Sequence, residues 1–200
     1  THTDSSAASD VYKRQLLLSK YSKGSFGSIH GPMITTLFKE PEWSLKRLRN
    51  LLFEGYVDDI TGLPLKKGIG TGEIVVSNLT IASFLIGTDH FPKLKGKIII
   101  FEDINEEIYK IDRILTYLKM TKMLNGIVGI GFGSFSDDLC TPEWKGLLKK
   151  LIIERLQEFD IPILFDLPIG HLSGNACIPL GFEATLNGND GKLSLNIPSY

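Results

Sequence analysis

Two polar side chains stand where two apolar runs end, and their types suit proton transfer. Lys97-Ile98-Ile99-Ile100-Phe101 runs into Glu102-Asp103. Ile161-Pro162-Ile163-Leu164-Phe165 leads through Asp166-Leu167-Pro168-Ile169-Gly170 to His171. Imidazole titrates near neutrality, so a histidine on a strand-end loop can give and take protons at physiological pH. A carboxylate beside it would fix the ring tautomer and stabilise the imidazolium, which is the base-and-orienter half of a nucleophile–base–acid set. The first member of such a set is a Ser or Cys, and the stretch before Leu16 offers none in a convincing setting.

Other chemistry-bearing residues are more scattered. His30, in His30-Gly31-Pro32, is a candidate substrate contact on the same cleft, with a satisfied structural histidine as the plainer alternative. His2 and His90 belong to no pattern. Ser134, Ser136, Asp137 and Asp138 form a polar loop that would border the site. Four His and two Cys show no metal-ligand spacing, so no metal is expected. Gly129-Ile130-Gly131-Phe132-Gly133 follows a strand, but its spacing is GxGxG, the next helix opens only at Thr141, and the acid at the right interval, Glu154, falls inside that helix. A dinucleotide fingerprint fails on all three counts, and no cofactor is expected. These glycines are read instead as letting another segment come close.

The elements that must position Glu102 and His171 follow from hydrophobic period. Ser28-Ile29-His30 reads as a short strand running into a turn. A helix is predicted near 41–54, with Pro41 at its first position, a stripe of Leu45, Leu48 and Leu52, and Gly55 as its stop. Residues 56–73 read as a linker with small strands. Ile74-Val75-Val76 leads to Asn78, a plausible N-cap, and a short helix ending at Gly87. Strand 97–102 precedes a helix capped by Asn105, carrying Ile108, Ile111, Leu115 and Leu118 inward. Strand 126–132, a helix opened by Thr141-Pro142-Glu143 with Trp144, Leu147, Leu148, Leu151 and Phe159 inward, and strand 161–165 follow. Strands alternating with helices imply parallel pairing with helices packed on the sheet. Period two in 183–187 and 192–196, around Gly188-Asn189-Asp190-Gly191, predicts a closing β-hairpin.

Composition bounds the function. The chain has 200 residues and 42% hydrophobic content, enough for a full core. Its 22 basic and 23 acidic residues give a net charge of −1, so nothing electrostatic draws it to nucleic acid or an anionic membrane. No apolar run reaches the roughly 18 residues of a membrane span, and the start carries no secretory pattern. Cys140 and Cys177 make no disulfide framework and are read as free thiols. Residues 1–15 are polar, small and aperiodic, and read as a foreign or disordered segment. Leu16–Tyr21 would be a helix tail ended by Gly24.

Several segments together resemble the LD-carboxypeptidase family of serine peptidases. They are His30-Gly31-Pro32-Met33, Ser77-Asn78-Leu79-Thr80 with Gly87-Thr88, Leu94 to Asp103, Tyr109 to Leu115, and Leu167-Pro168-Ile169-Gly170-His171 followed by Pro179-Leu180-Gly181. The resemblance implies an α/β fold. Residues 16–67 would be the remnant of an N-terminal nucleophile domain and its linker, and 68–200 a C-terminal domain of parallel strands, flanking helices and a closing hairpin. It implies that Glu102 and His171 are catalytic and that the Ser nucleophile is absent from this chain, since Ser9-Asp10 echoes the family's Ser-Asp pair in foreign surroundings. The implied substrate is a cell-wall (murein) peptide losing a terminal D-amino acid in the cytoplasm, by an enzyme that pairs as a homodimer. The chain alone would be inactive. An immunity-type amidase of the same family and a non-catalytic ligand-binding module are the alternatives.

Overall fold

A computed structural model describes residues 28–135 and 141–197. The readings made for residues 1–27, and for Ser136, Asp137, Asp138 and Cys140, lie outside them.

The chain opens with β1 (Ser28–His30), a 3-10 turn (Ile34–Lys39) and α1 (Glu42–Arg49), which runs on through a π-helical turn (Asn50–Glu54) to Gly55. Then come β2 (Ile60–Thr61), β3 (Leu63–Lys66), β4 (Ile69–Asn78), α2 (Leu79–Leu85), β5 (Lys97–Glu102) and α3 (Ile108–Met120). After these follow β6 (Gly129–Phe132), α4 (Pro142–Leu156), β7 (Ile163–Phe165), β8 (Ile178–Leu180), and the hairpin β9 (Glu183–Asn187) and β10 (Lys192–Asn196).

Eight strands form one sheet in the order β2-β10-β9-β4-β5-β6-β7-β3. The central four, β4 to β7, are parallel. The hairpin joins β4 antiparallel, as its period-two pattern predicts. β2 and β3 close the two edges, so most of the stretch read as a linker is sheet. β1 pairs with β8 in a separate two-stranded ribbon.

The side chains of the central strands divide by parity, because successive residues of a strand point to opposite faces. Val75, Ile99, Phe101, Ile130 and Phe132 meet the helices α2, α3 and α4. Ile74, Val76, Ile98, Ile100 and Leu164 meet Leu167, Ile169, Ala176, Ile178 and Leu180. All three later helices thus cover one face, and the irregular segment after β7 covers the other. On that second face the glycines of β6 act as read from the sequence. A Cβ at Gly131 would lie 2.5 Å from Ile100 and 2.8 Å from Leu167, and one at Gly133 2.3 Å from the carbonyl of Ile169.

Three local expectations are corrected. The N-cap position of α3 falls on Glu107, whose side chain makes no cap hydrogen bond, and not on Asn105, which takes a left-handed conformation (φ 57°). Leu147 on α4 is exposed, while Leu148, Leu151, Ile152 and Leu156 are buried. α1 is turned about its axis relative to its apolar stripe: Leu45 and Leu52 are exposed, and Ser44, Arg47 and Asn50 are buried. The reason is what α1 faces within the chain. Ser44 Oγ donates to the carbonyl of Asn175 (2.8 Å), Arg47 Nε donates to that of Cys177 (3.1 Å), and Arg47 Nη1 donates to that of Asp58. Loop carbonyls need donors, so the polar side turns inward.

Candidate active site

The parallel strands β4, β5 and β6 all end at one edge, which is where open α/β sheets collect chemistry. β5 delivers Glu102. By parity its side chain points to the face away from the helices, with Ile98 and Ile100, and it is fully buried. After β7 the chain turns at Asp166 and Gly170 (φ 57° and 119°) and brings His171 over the same edge. His171 Nδ1 and Glu102 Oε2 are 2.9 Å apart. The two expected site residues therefore meet across 69 positions of sequence.

Space for the pair is made by glycine. A Cβ on Gly170 would sit 2.9 Å from both Cβ and Oε2 of Glu102, and one on Gly133 would sit 3.3 Å from Glu102 Cβ. An ionised carboxylate only accepts, so it selects the tautomer with the proton on Nδ1 and leaves Nε2 basic. Glu102 Oε1 is buried without a hydrogen-bond partner among the described residues. A buried carboxylate with half its accepting capacity unused is costly, and pairing with His171 offsets part of that cost.

His30 lies buried, 1% exposed, at the end of β1 with Ile178 as its register partner. Burial lowers its pKa below the usual imidazole value. The Glu102 carboxylate opposes that shift and the His171 ring adds to it. His30 is thus electrostatically part of the pair's surroundings, set within the protein and not on the open cleft surface.

Asp103, next to Glu102, does different work. Its carboxylate accepts from Asn78 Nδ2 (2.8 Å), Thr80 N (2.9 Å) and Ile104 N (2.9 Å). Asn78 in turn accepts from Ile81 N and caps α2, as predicted. Asp103 therefore ties the start of α2 to the end of β5. Burial nonetheless pushes its carboxyl up to about 6.

His171 lines a cleft of about 320 Å³, with Gly31, Met33, Thr36, Lys39, Glu40 and Ser173 on its walls. A larger hollow of about 720 Å³ between α2 and α3 contains neither member of the pair, and volume alone does not mark a site. Among the described residues no cluster of His, Cys, Asp and Glu could hold a metal ion, and no helix is long and apolar enough to cross a membrane. Cys177 is a buried free thiol whose pKa burial raises, so it is poorly suited to act as a nucleophile. Sequence reasoning missed Glu40 and Asn175, which hold the loop carrying His171. A glutamate before a proline and an asparagine in a glycine-rich loop are weak signals, and their contacts span more than 130 positions.

The sequence and the fold both recur in known proteins. The family model of the LD-carboxypeptidase C-terminal domain matches residues 71–186. A protein of Synechocystis sp. that carries the name carboxypeptidase is 37% identical over 175 residues, spanning 86% of this chain and 58% of its own length. The murein tetrapeptide carboxypeptidase of Pseudomonas aeruginosa is 29% identical over 189 residues, spanning 87% of this chain and 60% of its own. The crystal structure of muramoyltetrapeptide carboxypeptidase from Oxalobacter formigenes superposes with a TM-score of 0.80 at 24% identity, covering 96% of this chain and 66% of that one, which shows a shared fold. The chain spans less than two thirds of the length of each of these relatives. With more than half of its residues matched by the family model, and with a relative 37% identical to it, this chain belongs to the LD-carboxypeptidase family, as a C-terminal domain with a preceding segment.

Proposed function

We propose that this chain carries the base and orienter of a serine-type LD-carboxypeptidase, with His171 as general base and Glu102 holding its ring. The Ser nucleophile of that reaction lies outside the described residues. The observation that carries the proposal is the 2.9 Å contact between His171 Nδ1 and a fully buried Glu102 at the carboxyl end of a parallel strand.

The chemistry follows from that contact. His171 Nε2 removes the proton of the Ser hydroxyl as its oxygen attacks the scissile carbonyl. The imidazolium formed is stabilised by Glu102, which stays ionised. The proton then passes to the leaving amine, and a D-amino acid departs. A water molecule, deprotonated by the same ring, releases the acyl group. The substrate class is a murein tetrapeptide ending in a D-residue, in keeping with the names of the P. aeruginosa and O. formigenes relatives.

The test is release of D-alanine from a murein tetrapeptide, set beside the same peptide ending in L-alanine and a peptidyl-nucleotide amide. The 200-residue chain alone should release nothing. Joined to the N-terminal portion of a relative, it should release D-alanine and spare the L-terminated peptide. Cleavage only of the peptidyl nucleotide would move the assignment to the immunity-type amidase. Binding without cleavage of any of the three would make the chain a ligand-binding module.

A further inference from the structure

We propose that Glu40 is a positioning residue for His171, acting through the backbone amides of Gly174 and Asn175. A single carboxylate oxygen, Glu40 Oε2, accepts from Gly174 N at 3.0 Å and from Asn175 N at 3.1 Å. Asn175 passes the constraint on: its Oδ1 accepts from Gly170 N at 3.1 Å, and Gly170 directly precedes His171. Leu172 N donates to the carbonyl of Gly170 at 3.1 Å and closes the turn around the ring-bearing residue. Glu40 is thus linked to the His171 backbone by two successive sets of hydrogen bonds.

The local sequence gives Glu40 a fixed reach. A residue before proline is confined to extended backbone, and Glu40, before Pro41, has φ −72° and ψ 140°. On the receiving side Gly174 has φ 91°, and a Cβ there would lie 2.6 Å from the Trp43 ring. Only glycine fits under Trp43, and that fit exposes the two successive amides to the carboxylate. Among the described residues Glu40 has no ion-pair partner, so its charge is directed at these amides. Bonds from amides to a carboxylate are stronger than those to a neutral acceptor. Beside them, Ser44 on the Asn175 carbonyl and Ser173 on the Lys39 carbonyl tie the 170–175 loop to α1 and to the segment before it.

The role rests on reading His171 as the base, but the test observes ring order directly and needs no turnover. The Nδ1 proton of His171, shared with Glu102, gives a proton resonance far downfield of the amides, assigned by its loss in His171→Gln. Its exchange with solvent is measured in the parent chain, Glu40→Ala and Glu40→Gln, with the amides of Ile99 and Ile100 as reporters of global opening. In Glu40→Ala the exchange should speed up about tenfold or more, as expected when a charge-assisted pair of bonds is lost locally, while the β5 amides stay unchanged. Glu40→Gln keeps an acceptor oxygen at the same reach and should stay within about threefold of the parent. The proposal is overturned if Glu40→Ala leaves the exchange unchanged, if the β5 amides accelerate in step with it, or if Glu40→Gln is as fast as Glu40→Ala. Any of these with the resonance intact in the parent leaves the reading of His171 as base standing. Absence of the resonance in the parent overturns the pairing itself, and with it both readings.

Discussion

Adjacent carboxylates at the end of β5 have opposite tasks, and their partners explain why. Glu102 turns to the helix-free face and meets an imidazole; Asp103 turns to two donors at the start of α2 and to the amide of Ile104. The Asp103 carboxyl, raised by burial from 3.8 to about 6, holds its proton more tightly folded than unfolded. Its contribution to stability is therefore fully present below about pH 3.8 and is lost as pH rises through about 6, a change on the order of 3 kcal/mol. Urea unfolding of the parent and Asp103→Asn between pH 3.5 and 7 should show the parent losing stability relative to the variant across that window. A constant difference between the two would refute the shift. Gly170 gives a second expectation. An alanine there meets a φ of 119° and Glu102 atoms 2.9 Å from its Cβ, so Gly170→Ala should cost about 2–4 kcal/mol in urea unfolding and disturb the Glu102–His171 contact. Glu102 and His171 were legible because each ends an apolar run. The burial of His30 was not, because it depends on a ribbon partner, β8, lying about 150 residues away in sequence.

The strand and helix elements follow their periods closely where a partner of matching polarity is present. The second half of β4, from Ile74, and β5 to β7 read as apolar runs and are buried on both faces. α4 starts where Thr141-Pro142 says it should, with Thr141 Oγ1 accepting from Trp144 N. α1 departs from its period, since its Leu stripe predicts the face that profits from burial, not the partner available to it. Within this chain the partner is a loop with open carbonyls, and Ser44 and Arg47 answer it. Ser44→Ala should therefore destabilise the chain by about 1–2 kcal/mol, because the Asn175 carbonyl loses a buried donor. Leu52→Ser, on the exposed side, should change stability by no more than about 0.5 kcal/mol. Equal costs for the two in urea unfolding would contradict this orientation of the helix.

At the scale of the whole molecule, exposed large apolar side chains among the described residues are densest in the segment before β2. Ile34, Phe38 and Phe53 are 87%, 80% and 78% exposed there, and Met33, Thr36 and Lys39 of the same segment line the cleft that holds His171. Large apolar side chains this exposed suit a contact face, and the nucleophile-bearing portion of the protein is the partner that the proposed function calls for. The resemblance carried by Glu102-Asp103 and by Pro168-Ile169-Gly170-His171 made the family legible from sequence. The tethering of the His171 loop by Glu40 was not, since it exists only once the chain has folded.

Everything functional depends on the acid at the end of β5 and the imidazole after β7 working as one unit. The most direct test joins this chain to the N-terminal portion of a relative and compares D-alanine release from a murein tetrapeptide by the parent, His171→Ala and Glu102→Gln. The account predicts a fall in kcat of about a thousandfold or more for His171→Ala and about a hundred- to ten-thousandfold for Glu102→Gln, with both variants folded. Parent-like turnover by His171→Ala would contradict it.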